Sequence, residues 1–448
     1  MRRKLLICAS LLIVSVSTFA GGILTNTNQH PAFLRMLSRG ATFDIDAVIS
    51  NPAGLAFMPK DGFYCSLSIQ SAFQTRNIDA NYYTYTGFNG TAPIVSDQPY
   101  HKYYEGKAAA PIIPSVFGAY KKGDWVISCY FGVTGGGGKA SFDDGLPMFE
   151  SLAMAGIFKA GLQQGKVLTQ EIYDINSAME GKQFIYSVQL GLTYKINEWL
   201  SAFAGGRMNY FTGGYTGYLT ANLKESLGGS QLMNLALDCD QTGWGLTPII
   251  GLDAKLGRLN IGAKYEFKTN LNIENNTKEN TDPDGALAAF KHGVNTPSDI
   301  PSLLSVAAGY QFLPNLRASV EYHFYDDKQA GMANDKQKYL TKGTNEYLAG
   351  IEWDVTQRLT LSCGGQITDY GLSDNYQSDT SFSCDSYSLG FGAKLKLTEK
   401  ADINIGYMWT TYDDYKKVSD NYNGTGLKGS NVYSRTNKVF GMSIDYKF

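Results

Sequence analysis

Four histidines offer the chain acid–base chemistry: His30, His101, His292 and His323. Only His323 lies in an alternating stretch, next but one to Glu321. An imidazole can serve as a general base only towards a nucleophile within hydrogen-bond reach. Ser319 shares its strand face but stands two side-chain steps away, and no Gly-x-Ser-x-Gly elbow marks another nucleophile. No catalytic residue is assigned, and an enzyme is not expected. Beyond the first twenty residues there are five cysteines, Cys65, Cys129, Cys239, Cys363 and Cys384, widely spaced and without a Cys-x-x-Cys pair or a Cys/His cluster. A metal site is not expected, nor a structural disulfide, nor a cofactor, since no nucleotide-binding glycine motif is present.

The remaining candidates are charges in alternating segments: Arg207, Lys264, Glu266, Arg317 and Glu321. A basic side chain there could hold the carboxylate of a ligand. The reading that lumen charges more commonly take is pairing with acidic residues on neighbouring strands. Arg207, Lys264 and Arg317 are the ligand-binding candidates under the first reading.

The elements that must position these residues are strands. Tyr387, Leu389, Phe391, Ala393, Leu395 and Leu397 alternate with Ser386, Ser388, Gly390, Gly392, Lys394 and Lys396. Ile403, Ile405, Tyr407 and Trp409 repeat the pattern. Fourteen such segments are expected, at 62–75, 112–121, 124–134, 183–196, 199–222, 242–256, 258–271, 302–313, 315–326, 344–355, 357–370, 382–397, 401–413 and 433–448. Their joins alternate between short turns, such as Lys122-Gly123 and Gly257, and long loops. Short turns on one side and long loops on the other are the pattern of an outer-membrane barrel, whose apolar face meets lipid and whose polar face lines the lumen.

Composition agrees. The chain has 448 residues with 49 Gly, 30 Tyr and 23 Phe, and only 18% are charged. Average usage of about 7% glycine would give roughly 31. The net charge is −2, and no basic run exceeds Arg2-Arg3-Lys4, which speaks against a nucleic-acid partner. Those three residues, the apolar Leu5–Val16 stretch and Thr18-Phe19-Ala20 read as an export signal over residues 1–20, cleaved before Gly21. No later stretch is apolar for the roughly 18 residues that a membrane helix needs. The last segment ends Phe440, Met442, Ile444, Tyr446, Phe448. It resembles the signal read by bacterial barrel-assembly machinery, a partner expected during biogenesis.

Residues 21–61 do not alternate and are too short to bury a core alone. A fourteen-stranded barrel is wider than one filled by its own side chains, so this segment is expected to plug the lumen as a hatch, with the barrel over 62–448. The Gly-rich start, Asp44-Ile45-Asp46-Ala47 and Asn51-Pro52-Ala53-Gly54-Leu55 resemble the outer-membrane long-chain fatty-acid and hydrocarbon transporters of FadL/TodX type, especially Bacteroidota members. The resemblance implies an all-β, fourteen-stranded transmembrane barrel with an N-terminal hatch, and hydrophobic ligands.

It also assigns roles. Asn51, Pro52 and Ala53 match the hatch motif and are gating candidates, or else an ordinary turn. The family's third strand bends inward to make a lateral opening. Here the candidates are Gly132, Gly135 and Gly136, although the run Gly135–Gly138 falls at the outer end of the expected strand and could simply begin a flexible loop. Family loops also build a ligand-catching groove. Phe149 and Leu152 lie in a stretch, 146–157, with helical spacing that Ile172, Ile175 and Met179 repeat. The expectation is a monomer in the Gram-negative outer membrane, contacting lipid and lipopolysaccharide, that takes up long-chain fatty acids or other hydrophobic compounds without an energy source. The alternative is a structural or adhesive surface barrel that binds host molecules without transport.

Overall fold

The computed structural model describes residues 24–89, 92–165 and 168–448; the export signal assigned to residues 1–20 and the first residues of the hatch lie outside them. The described residues form fourteen barrel strands: β1 (Gly62–Tyr82), β2 (Tyr100–Lys122), β3 (Trp125–Phe142), β4 (Tyr173–Lys195), β5 (Leu200–Leu223), β6 (Gln231–Leu256), β7 (Leu259–Glu266), β8 (Leu303–Leu313), β9 (Leu316–Tyr325), β10 (Thr344–Asp354), β11 (Leu359–Asp369), β12 (Ser386–Lys396), β13 (Ala401–Tyr412) and β14 (Gly429–Lys447). All pairings are antiparallel between sequence neighbours, and β14 pairs with β1 from Tyr64–Lys447 to Tyr82–Gly429. That last pairing closes the barrel, so the first and last strands are not left as open edges with unpaired N–H and C=O groups.

The two-residue alternation sorts the side chains. On β1, Leu67, Ile69 and Phe73 are exposed outward while Ser66, Ser68 and Gln70 are buried in the lumen. Aromatic residues mark both interfaces. Trp125 and Tyr194 lie 4.4 Å apart near the short turns, and Tyr186, Tyr210 and Trp244 stand in register on β4, β5 and β6 nearer the loops. Amphipathic rings favour these two depths.

The structure corrects three expectations. Several strands run further outward than expected, β2 from Tyr100 and β6 from Gln231 among them. Above the lipid the outer face is solvated, so the ladder continues where the apolar alternation stops. Ile175 and Met179 belong to β4 rather than to a second loop helix. The glycine run lies inside β3, not at a loop start, because the strand resumes as far as Phe142.

The hatch is built from α1 (Pro31–Arg35), α2 (Ala47–Ser50) and a 3-10 turn over Pro52–Phe57. His30 caps α1 through Nδ1, which accepts the Ala32 N–H at 3.1 Å, and Pro31 pre-sets its first turn. The helix lies flat on β12–β14. A Cβ at Gly406 would come within 2.7 Å of the Pro31 carbonyl, and one at Gly390 within 2.4 Å of the Leu34 carbonyl. Part of the glycine excess is therefore the floor on which the hatch rests.

Candidate functional site

Arginines hold the hatch at one wall. Glu352 on β10 receives Arg35 and, at 3.3 Å, Arg39 from the hatch, together with Arg317 from β9 at 2.7 Å. Arg39 also grips Asp46 with two bonds, of 2.7 and 2.9 Å. Glu321 accepts the backbone N–H groups of Arg39 and Gly40 at 2.7 and 2.9 Å. Elsewhere on the wall, Asn51 donates to Asp253 at 2.7 Å, while the carbonyls of Pro52 and Ala53 accept from Thr193 and Ser201. The Asn51–Ala53 motif therefore bonds to β4, β5 and β6.

The wall is interrupted between β2 and β3. Pairing stops at Ala109–Lys139 and resumes at Ser115–Gly132. On the β4 side the register of β3 slips twice, around Gly135 and before Gly138. Two causes face each other across this break. On β2, Pro111 and Pro114 lack the N–H that a ladder needs. On β3, Gly136 has φ +111° and Gly138 φ +77°, positive values that glycine adopts without the cost a side chain brings. The hatch touches the break through Gln29, whose amide donates to the Thr134 carbonyl at 3.2 Å. Asn51–Ala53 do not reach it through these bonds. Gly132 forms the lower lip, paired with Ser115.

An inner cavity with about 1240 Å³ of empty space, part of it open to solvent, reaches this break, with Gly136 and Gly138 in its lining. Phe142, Leu146 and Phe382 make its apolar roof. Arg76 and Arg435, which are cross-strand partners on β1 and β14, also line it. The Arg435 guanidinium lies 4.7 Å over the Tyr412 ring. Gln74 Oε1, Asn437 Oδ1 and Arg435 Nε are buried without a hydrogen-bond partner among the described residues. Buried polar atoms are rarely left so, and here three of them surround one cavity.

A second, outer groove with about 630 Å³ of empty space, part of it open to solvent, lies between α3 (Pro147–Gln164), the outer ends of β5 and β6, and Ala286–Phe290. Phe149 and Leu152 line it, with Met148, Leu235 and Leu237. Arg207 and Lys264 instead line a separate polar cavity beside the hatch, with about 560 Å³ of empty space, part of it open to solvent. Arg207 is bidentate to Glu266 at 2.8 and 2.9 Å; Lys264 donates to Glu266 and to the Ile49 carbonyl, both at 2.7 Å. Arg317 is committed to Glu352 and Asp354. Both ring nitrogens of His323 face carboxylates, Glu321 at 2.8 Å and Glu346 at 3.0 Å. Ser319 bonds to Ser38 instead.

The structure thus joins Gly136 to the inner cavity and Phe149 and Leu152 to the outer groove, and it sets the three basic candidates apart in ion pairs. Arg76, Arg435 and Gln29 are the residues that sequence reasoning passed over. Two signals were available for them. Arg76 continues the lumen-facing alternation of Gln70 and Gln74 one residue beyond the expected end of the first strand. The two prolines of β2 fall opposite the glycines of β3.

A closed fourteen-stranded barrel, apolar outside and holding an N-terminal plug inside, is the outer-membrane β-barrel class. Comparison bears this out: residues 281–448 match the family model for an outer membrane protein beta-barrel domain. A FadL homologue of Pseudomonas aeruginosa superposes with a TM-score of 0.68 at 15% identity, over 96% of this chain and 100% of that one. The toluene transporter TodX of P. putida gives 0.54 at 14%, over 91% and 95%. The toluene transporter TbuX of Ralstonia pickettii gives 0.52 at 15%, over 93% and 98%. No curated protein sequence matches the chain. What these structures share with it is the FadL-type fold.

Proposed function

We propose that the protein carries hydrophobic molecules, above all long-chain fatty acids, passively across the outer membrane. Ligand is caught in the outer groove and passes to the inner cavity. There the acyl chain lies against Phe142, Leu146 and Phe382, and its carboxylate meets Arg76 and Arg435. A charge-assisted, forked contact is the natural partner of such a headgroup. The single observation that carries this reading is one cavity lined by apolar side chains, by Arg76 and Arg435, and by Gly136 and Gly138 of the interrupted wall. The fold shared with FadL-type transporters supports it. A plugged lumen suits polar diffusion poorly.

Exit is lateral, through the break between β2 and β3. The hatch is bonded to β4–β6 and to β10, and at the break Gln29 bonds to both strands, its amide to the Thr134 carbonyl and its carbonyl to the Ser115 hydroxyl at 2.7 Å, so the smallest motion that opens a path is release of Gln29 from the two. A ligand that binds better to the released state shifts that equilibrium without an energy source. The test is uptake of radiolabelled oleate by cells with and without the gene, with a polar sugar as control. Gene-dependent oleate uptake with unchanged sugar uptake is expected; equal oleate uptake in both strains overturns the proposal.

A further inference from the structure

The outer groove and the inner cavity have Met179, Tyr215 and Thr380 in common. Two of these are set by the barrel: Met179 on β4 and Tyr215 on β5. The Tyr215 ring is fixed at both ends, its hydroxyl accepting from Gln183 at 3.1 Å and its edge meeting Phe290 at 5.6 Å. Met179 is the pliable member, since an unbranched thioether adapts its rotamer to what passes. Thr380 sits at the tip of a turn closed by reciprocal backbone bonds between Ser378 and Ser381.

The residue beside it holds that turn in place. The Asp379 carboxylate is 4% exposed. It accepts the Met148 N–H at 2.9 Å, Asn431 at 2.8 Å and the Tyr433 hydroxyl at 2.8 Å. Leu146, at the N-cap of α3, supplies no side-chain bond. Asp379 therefore caps the helix from a distant loop and ties the Thr380 turn both to the helix that carries Phe149 and Leu152 and to β14.

We propose that Met179, Tyr215 and Thr380 form a neck that selects ligands by width between groove and cavity, with Asp379 as the residue that positions its aperture. The proposal rests on the transport reading only for its physiological meaning; the neck itself is testable by binding. One fixed ring, one fixed turn and one yielding side chain admit a single extended acyl chain and stop a fused-ring amphiphile of the same charge.

The experiment is equilibrium dialysis of the purified full-length barrel with oleate and with a fused-ring steroid carboxylate, heat-modifiable electrophoretic mobility confirming that each variant is folded. The wild type is expected to bind oleate in both compartments and the ring compound in the groove alone. Tyr215→Ala and Asp379→Ala are each expected to admit the ring compound to the second compartment. Asp379→Asn, which keeps an acceptor for Met148, should preserve selection. Ring-compound stoichiometry that stays unchanged in both alanine variants, or that already equals oleate's in the wild type, overturns the neck. Oleate uptake by cells is read separately. Its absence alongside the expected stoichiometries overturns transport and leaves the neck supported.

Discussion

The side-chain amide of Asn51 donates to the Asp253 carboxylate across 2.7 Å, binding the hatch to β6 in the interior of the barrel. Asn260 is the other donor to the same oxygen, at 3.1 Å. Asn51→Ala removes one of the two, and taking a hydrogen-bond partner from a buried polar group costs about 1–3 kcal/mol. Hydrogen exchange across residues 47–57 should accelerate while the barrel strands keep their protection. Unchanged exchange in the hatch would show that the bond does not hold it.

Glu352 is the heavier anchor. Glu352→Ala leaves Arg35, Arg39 and Arg317 without their shared carboxylate, and breaking a buried pair in this way costs roughly 3–5 kcal/mol. Planar-bilayer recordings should find higher and noisier conductance than in the wild type. Deletion of residues 21–61 should convert the barrel to a steadily leaky channel, so the point variant is expected to fall between the two.

At the break, a Cβ on Gly136 would lie 2.3 Å from the Gln183 carbonyl, at a φ that side chains rarely adopt. Gly136→Ala must shift β3 against β4 and so reshape the wall beside the cavity. Oleate uptake is expected to fall several-fold, with binding in the outer groove unchanged. Full uptake in a folded Gly136→Ala barrel would move the exit elsewhere.

The arginine pair makes a headgroup prediction. Arg435→Ala should weaken oleate binding by roughly ten- to a hundredfold, the equivalent of a charged hydrogen bond, and leave binding of oleyl alcohol almost unaltered. Equal losses for the acid and the alcohol would assign Arg435 to packing alone.

In the outer loops, burial pushes the Lys336 ammonium down from 10.5 to about 7, and Lys417 adds to the shift. Lys336 reaches towards Ser378 and Ser381 and lies over the Tyr376 ring. Between pH 7 and the ordinary lysine range, the unfolded loop binds the proton that the folded loop has released, so the stability of the folded loop rises with pH. Below 7 both forms are protonated and the penalty is complete. Lys336→Met should therefore slow hydrogen exchange of residues 333–339 at pH 6 and have little effect near pH 10. A gain of equal size at both pH values would dissociate it from the charge.

The strand pattern was legible because alternation is local. Leu389 and Phe391 face lipid because their neighbours Ser388 and Gly390 cannot, and a run of eight residues suffices to see it. Strand ends above the membrane were not, since there both faces are polar and only the ladder from the adjacent strand, as at β2 from Tyr100, tells strand from loop. Phe149 and Leu152 were legible as a helical apolar face, whereas Ile175 and Met179, at similar spacing, are strand residues paired with Ala221 and Gly217. Short apolar patterns do not separate the two periods.

The sequence by itself determined the barrel, its fourteen strands, the side on which its loops lie and the segment that plugs it, because each depends on spacing along the chain. Tertiary structure alone decided what the lumen can do. Arg76 and Arg435 become neighbours only when the first and last strands pair, and the glycines of β3 make a break only because Pro111 and Pro114 stand opposite. Cross-strand register is a property of closure. It turned Arg207, Lys264 and Arg317, plausible ligand partners along the chain, into ion pairs with Glu266, Glu352 and Asp354.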